Sequence, residues 1–294
     1  MNKLYRATTA LLLTFAIFTA GCKSTKEYAN LAKAGTTYAS AIDNLLVATG
    51  EIQIDATSES LLQDAALSKL SLNQYQRLSN EDKRLLQVLK QLRVHVKLLS
   101  KYFGLMYELA TSDAPDRAEK AIGDGSSGLI GNLNSVGTAL RGSGFLTGRA
   151  AAAAGPITKL AVSGIIRGAL RDELNARQLT IRRELELQER LLKALSDRIT
   201  ANLSNIQNQR EQRLVINPLT SGTPIGNPDE WVSNRRSVLT MKLTAEQLGA
   251  ASDDVKKLRE AFEDLISGKL TLDRIDSLIA DFDSLLTISE KLKA

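Results

Sequence analysis

The chain has one cysteine, one histidine and one tryptophan in 294 residues. A lone cysteine has no partner for an intrachain disulfide. A single histidine leaves histidine–cysteine metal sites, and Ser–His or Cys–His nucleophilic systems, short of parts. Aromatic residues make up only 4% of the chain, while Leu, Ala, Glu, Lys and Arg are abundant. That balance favours helices over a β-sandwich or barrel. No uncharged apolar run is long enough to cross a bilayer comfortably.

Acids are missing from one stretch. None lies between Asp124 and Asp172, yet Arg141, Arg149, Lys159, Arg167 and Arg171 fall within or at the edge of it. The region from Ala121 to Arg171 also holds eleven of the nineteen glycines and an alanine run, Ala150 to Ala154. An apolar, purely basic insert therefore lies between two long, charged, leucine-rich arms. Gly164 and Gly168 have the spacing that lets helices approach closely. The bland expectation for 121–171 is a tight packing element. The sharper one is a tip that meets a membrane or a partner, with the five basic residues as its contacts.

At the start of the chain, Lys3 and Arg6 precede an apolar segment, Ala7 to Ala20, which reads as a secretory signal over residues 1–21. Its end, Phe18-Thr19-Ala20-Gly21-Cys22, resembles the lipobox of bacterial lipoproteins, with Thr19 where leucine is commonest. The small residues suit the signal peptidase pocket, and the cysteine thiol is the group that receives the diacylglyceryl chain. The resemblance implies a mature chain that begins at a lipidated Cys22 and is held on a membrane by it. Lys23 stands where enteric lipoproteins carry aspartate for inner-membrane retention. This implies the periplasmic side of the outer membrane where the source has two membranes. Loss of the signal removes Lys3 and Arg6 and lowers the net charge from +5 to +3. So weak a bias, in an envelope protein, excludes nucleic acid as the expected partner.

The rest of the chain shows helical periodicity. Ser24 and Glu27 have capping-box spacing, and Tyr28, Leu31, Gly35, Tyr38, Ile42 and Leu45 share one face, with Gly50 as the predicted stop. A second helix is expected from about Thr57 or Ser58, with a break at Ser79-Asn80, where Ser79 and Asp82 have the spacing to cap a new helix. The clearest seam is Leu85, Leu89, Leu92, Val96, Leu99, Phe103, Met106 and Ala110, in steps of four and three. A matching one follows the insert at Ile181, Leu185, Leu192, Leu195, Ile199 and Ile206, with Gln188 and Asn202 at two of its positions. Residues 217–228 contain three prolines and read as a loop. Asn227-Pro228-Asp229-Glu230 opens another helix, Thr244 and Gln247 are expected to cap the next, and a final helix covers about 271–291. The predicted organisation is a helical bundle over 22–216, including the insert, then the 217–228 loop, then C-terminal helices over 229–294 packed on the same bundle.

Catalytic signals are few. His95 sits beside the Val96 seam and reads as structural, and the carboxylates lie on charged helix faces where solvation accounts for them. Gly123, Gly125 and Gly128 spell the G-x-G-x-x-G of dinucleotide sites. No buried strand precedes them and no acid follows for more than forty positions, so the match fails. No catalytic residue, metal or cofactor is expected. The expected fold is all-α, an elongated antiparallel helical bundle with coiled-coil-like seams and a Gly/Ala-rich central insert. The expected role is a membrane-anchored binding or structural component, with anionic lipid or another envelope protein as candidate partner. Long helices flanking an apolar insert also resemble, in architecture, the haemolysin E type of α-helical pore-forming toxins. That resemblance implies the alternative, a membrane-active protein using 121–171, although such toxins are released whereas Cys22 would tether this chain. A carboxylate-based hydrolase stands third.

Overall fold

The computed structural model describes the backbone of residues 2–66, 71–111, 128–129, 131–132, 135–136, 138, 170–251 and 254–293, with side chains from Lys26 onward over somewhat shorter spans. Helix α1 runs from Asn2 to Ala66 and α2 from Leu72 to Thr111. Helix α3 covers Leu170–Arg210 and continues through a π-helical turn, Glu211–Ile216, into a last α turn, Asn217–Thr220. Pro228–Ala251 forms α4, Asp254–Ile266 α5 and Leu272–Lys293 α6. There is no strand among the described residues. At 1.5 Å per residue, the 65 residues of α1 extend about 100 Å, so the molecule is elongated.

Pairings along the helices set their directions. Gly35 against Phe103, Asp43 with Arg93 and Gln53 with Asp82 make α2 antiparallel to α1. Tyr38 with Gln188, Gln53 with Asn202 and Ser60 with Gln209 make α3 parallel to it. Glu189 with Arg259 and Arg182 with Glu263 set α5 antiparallel to α3, and α6 turns back along α5. In this register Thr111, where α2 ends, and the start of α3 lie at the end of the bundle marked by Tyr28. The end of α1 and the start of α2 lie at the other end, with the 221–227 loop.

All eight residues of the α2 seam are buried, from Leu85 to Ala110. So are Ile181, Leu185, Gln188, Leu192, Leu195, Ile199 and Ile206 on α3, and Ile275, Leu278, Phe282 and Leu285 on α6. They join one apolar core with Leu258, Phe262 and Leu265 of α5, so the C-terminal helices pack on the same bundle. Helix α1 is its axis. Ala29, Ala32, Ala34, Ala39, Ala41 and Ala48 are buried along with Leu31, Tyr38, Ile42, Leu45 and Leu46, and α2, α6 and α3 cover it.

Several expected boundaries differ. Gly50 does not stop α1. It is buried, and a Cβ there would lie 2.9 Å from Leu86 Cδ2, so the glycine admits a neighbouring helix. Ser24 and Glu27 likewise start nothing, because α1 is already helical before them. Helix α2 passes through Ser79-Asn80; Asp82 spends its carboxylate on Thr57 Oγ1 at 2.8 Å and Gln53 Nε2 at 3.2 Å instead of capping. Its actual start is Ser71, whose Oγ accepts from the Gln74 N–H at 3.2 Å. Asn217–Thr220 is helical, which shortens the expected 217–228 loop to 221–227. Pro218 has no N–H to give and cannot continue a regular α-helix, but it fits the first turn after the π-helical residues. Asn227 caps α4 as expected, accepting from the Glu230 N–H at 3.2 Å. The backbone stays helical through Thr244 and Gln247, so their capping pattern is unused. Helix α5 ends at Gly268, φ 71°, in a Schellman arrangement, with Lys269 N–H on the Asp264 carbonyl at 2.8 Å and Gly268 N–H on Leu265 at 3.1 Å.

Leu92 and Leu99 are buried to 0% and 2% exposure, so alanine at either position lowers stability by roughly 2–5 kcal/mol in urea unfolding. Gly35→Ala places a methyl 2.6 Å from the Phe103 ring and costs about 1–3 kcal/mol through overpacking. Leucine variants within about 0.5 kcal/mol of wild type, the range of surface changes, would contradict this core.

Candidate functional site

The least ordinary chemistry lies inside the core. The seam of α2 brings His95 inward beside Val96, and α3 presents Glu184 and Gln188, one turn apart on the side that carries Ile181 and Leu185. His95 and Glu184 are 0% and 1% exposed. His95 Nε2 lies 2.9 Å from both carboxylate oxygens, and Gln188 Nε2 donates to Glu184 Oε1 at 2.7 Å. From α1, the buried Tyr38 hydroxyl donates to Gln188 Oε1 at 3.3 Å, and the Tyr38 ring packs against Phe282 with centroids 5.2 Å apart. Asn132, one of the described insert residues, is near enough to the imidazole to act on it.

Burial disfavours the charged imidazole, but the Glu184 charge and its hydrogen bond, with a smaller contribution from Asn132, outweigh it and hold His95 above its ordinary value of 6.5. Burial, reinforced by the Glu184 and Glu189 charges, drives the Tyr38 phenol well above its ordinary 10.0, so it stays a neutral donor. The network thus joins an imidazole and a carboxyl group, tied by an amide to a phenol, and widens the pH range over which the ring keeps its second proton. No substrate reaches it without the helices parting. Its effect in the closed bundle is on packing and register.

A second buried carboxylate, Glu59, is 5% exposed. Arg213 grips it with two bonds of 2.7 and 2.9 Å, and Arg210 Nε donates at 2.7 Å. Burial pushes the Glu59 carboxyl up, but the arginine bonds overcome that and leave it below its ordinary 4.5. The clamp fastens α1 to the π-helical turn. Trp231 Nε1 adds a bond to the Val215 carbonyl at 3.1 Å, which holds the start of α4 there. A groove of about 390 Å³ opens between α1, α2 and α6, with Ser40, Asp43, Lys97 and Glu290 among its lining residues. Asp43 is taken up by Arg93, at 2.8 and 3.0 Å.

The sequence expectation that the carboxylates sit on solvated faces is therefore corrected at Glu184 and Glu59. In Glu184 the available signal was its i,i+4 relation to Gln188, a polar seam position. Among the surface acids, Glu189 turns to Arg259, and Glu260 and Asp264 both meet Arg274. The backbone at Cys22 is part of α1, six residues before the first buried aromatic, Tyr28; its side chain lies outside the described residues. Arg141, Arg149, Lys159 and Arg167 also lie outside them, as does the side chain of Arg171 in α3. Among the described residues there is no group of acids, histidine or cysteine arranged to hold a metal, and no helix long and apolar enough to cross a membrane.

Removing one member of the buried pair leaves an uncompensated charge or an unpaired polar group, so Glu184→Ala and His95→Ala each cost roughly 3–5 kcal/mol. The double change to leucine costs less than the sum of the single alanine changes. Urea unfolding of the three proteins tests this, and additive losses would show that the two groups do not interact. Comparison with protein-family models, curated proteins and solved structures yields no match to this chain.

Proposed function

We propose that the chain is a lipid-anchored envelope protein that acts as a binding or structural component and performs no catalysis, on the periplasmic side of the outer membrane where the source has two membranes. The observation that carries this reading is the segment Phe18-Thr19-Ala20-Gly21-Cys22 after a basic start and an apolar run. Packing supports it. The core begins at Tyr28, so a lipid on Cys22 would sit within a few residues of a rigid bundle. Each buried CH2 of an acyl chain contributes about 0.8 kcal/mol, and two or more chains anchor stably where one does not. The interhelical carboxylates Asp43, Glu59 and Glu189 are engaged by arginines, and Glu184 by His95, which suits a scaffold.

A second reading, insertion or contact by residues 121–171, is favoured by the ends that flank them. Helix α2 finishes and α3 begins at the Tyr28 end of the bundle, the end a Cys22 anchor would bring to the membrane. Arg141, Arg149, Lys159, Arg167 and Arg171 would then meet anionic headgroups, each near-surface basic residue contributing about 1 kcal/mol.

Cys22→Ser moves the protein from the detergent-extracted membrane fraction to the soluble one and abolishes metabolic labelling with palmitate. Unchanged fractionation and an unlabelled wild type would remove the anchored reading. For the second reading, the Cys22→Ser protein floats with anionic but not neutral liposomes, and charge reversal at Arg141, Arg149 and Lys159 abolishes flotation. Dye leakage would extend that contact to membrane permeabilisation, and no flotation with either lipid would eliminate it.

A further inference from the structure

The described insert residues are fastened to the core. Leu129 and Val136 are 4% and 1% exposed and belong to the main apolar cluster. Gly128 comes close to Leu98. Leu129, Asn132 and Val136 are each helical, and their spacing in steps of three and four is that of one helical face. Asn132 is the polar residue of that face, and it meets the protein's one histidine. His95 Nδ1 and Asn132 Oδ1 are both buried, and neither atom is within full hydrogen-bond geometry of any partner. An imidazolium has N–H donors on both nitrogens and an amide oxygen only accepts, so the two atoms are complementary when the ring is charged.

We infer that His95, Glu184 and Asn132 form a proton-dependent latch that holds the start of the glycine-rich insert against the bundle. In the imidazolium, Nε2–H donates to Glu184 while Nδ1–H faces Asn132 Oδ1. The neutral ring has a single N–H. Keeping it on Nε2 turns the Nδ1 lone pair toward the amide oxygen and leaves the Glu184 carboxylate buried without a cation. A flip of the Asn132 amide restores the first contact but not the missing charge. Leu129 and Val136 hold the segment by apolar packing alone once the polar contact between them fails.

The groups around the ring leave His95 as the one that switches. Helix α1 contributes Tyr38, which reaches the pair through Gln188 and stays neutral. Helix α3 contributes Glu184 and, a turn beyond, Glu189, which is paired with Arg259 of α5. The Tyr38 ring packs in turn on the apolar Phe282 of α6, and the described residues between 128 and 138 bring no ionisable group. Because His95 is held above its ordinary value, its stabilisation is complete below the ordinary imidazole range. It is lost as pH rises through the elevated folded value. The latch is thus closed at mildly acidic pH and loosens on the alkaline side. This inference stands apart from the lipid anchor and holds whether or not Cys22 is modified.

The test is amide hydrogen exchange on the full chain in detergent, corrected for intrinsic rates, from about pH 6 to about pH 9. Exchange is read in a peptide covering Leu129–Val136 and, as control, in the Leu85–Leu92 seam. With one histidine in the chain, its imidazole NMR signals report the titration without ambiguity. Protection of the insert peptide falls by roughly tenfold for each unit by which the Asn132 contact raises His95, with the same midpoint as the imidazole, while the seam stays protected. Glu184→Gln moves both midpoints down together. Asn132→Ala, which spares the His95–Glu184 pair, leaves the imidazole titrating but the insert poorly protected at every pH. If Glu184→Gln does not fold, Asn132→Ala decides alone. Insert protection that ignores pH, a midpoint separate from that of His95, parallel loss in the seam, or an Asn132→Ala protein that behaves as wild type would each overturn the latch.

Discussion

Between Tyr28 and Ala56, helix α1 carries small or apolar side chains on nearly every face, and such a helix is stable in water only when others cover it. That requirement organises the bundle. Alanines at 32, 34, 39, 41 and 48, and glycines at 35 and 50, let the covering helices come close. Larger residues then fill from outside, as Phe103 does over Gly35 and Leu86 over Gly50. The amphipathic seams of α2, α3 and α6 supply one apolar face each, and together they close around the axis. Apart from Glu59, Glu184 and His95, the charged side chains among the described residues keep to partly or fully exposed faces.

An apolar axis admits sliding, because one apolar residue substitutes for another along a seam. The buried polar groups oppose that. His95 meets Glu184 across a boundary where α2 and α3 otherwise touch little. Gln188 then links the pair to Tyr38 of α1, so three helices share one register. Shifting any of them by a turn would strand a buried charge, a cost of several kcal/mol. Near the other end, Glu59 locks α1 to Arg210 and Arg213 in the same way. The π-helical turn accommodates Pro218 and brings Val215 to Trp231. Two ionic locks, one near the middle of α1 and one near its C-terminal end, thus fix a bundle whose apolar contacts alone fix only its cross-section.

This layout also gives the two ends different characters. One end gathers Tyr28, the finish of α2 and the beginning of α3, and so lies beside Cys22. The far end carries the finish of α1, the start of α2 and the 221–227 loop, with Leu62, Leu72, Tyr75 and Leu219 exposed. A tethered protein built this way would hold one end near a membrane and present the other at a distance set by helix length.

What the sequence alone determined is what local periodicity encodes. The seams of α2 and α3, the N-terminal face of α1 and the Asn227 cap all follow from side chains a few residues apart, and the helix itself brings those together. Partner-dependent features were not legible. Gly50 reads equally as a stop or as room for a neighbour, and Leu86 decided it. Ser79 with Asp82, and Thr244 with Gln247, have capping spacing, but a cap acts only where the chain has left the helix, and no breaker makes it leave. Glu184 looks like any acid on a charged helix until α2 delivers His95 from 89 residues away. Whether a carboxylate is solvated or locked in the core depends on which helix faces it, and that was settled only when the helices packed.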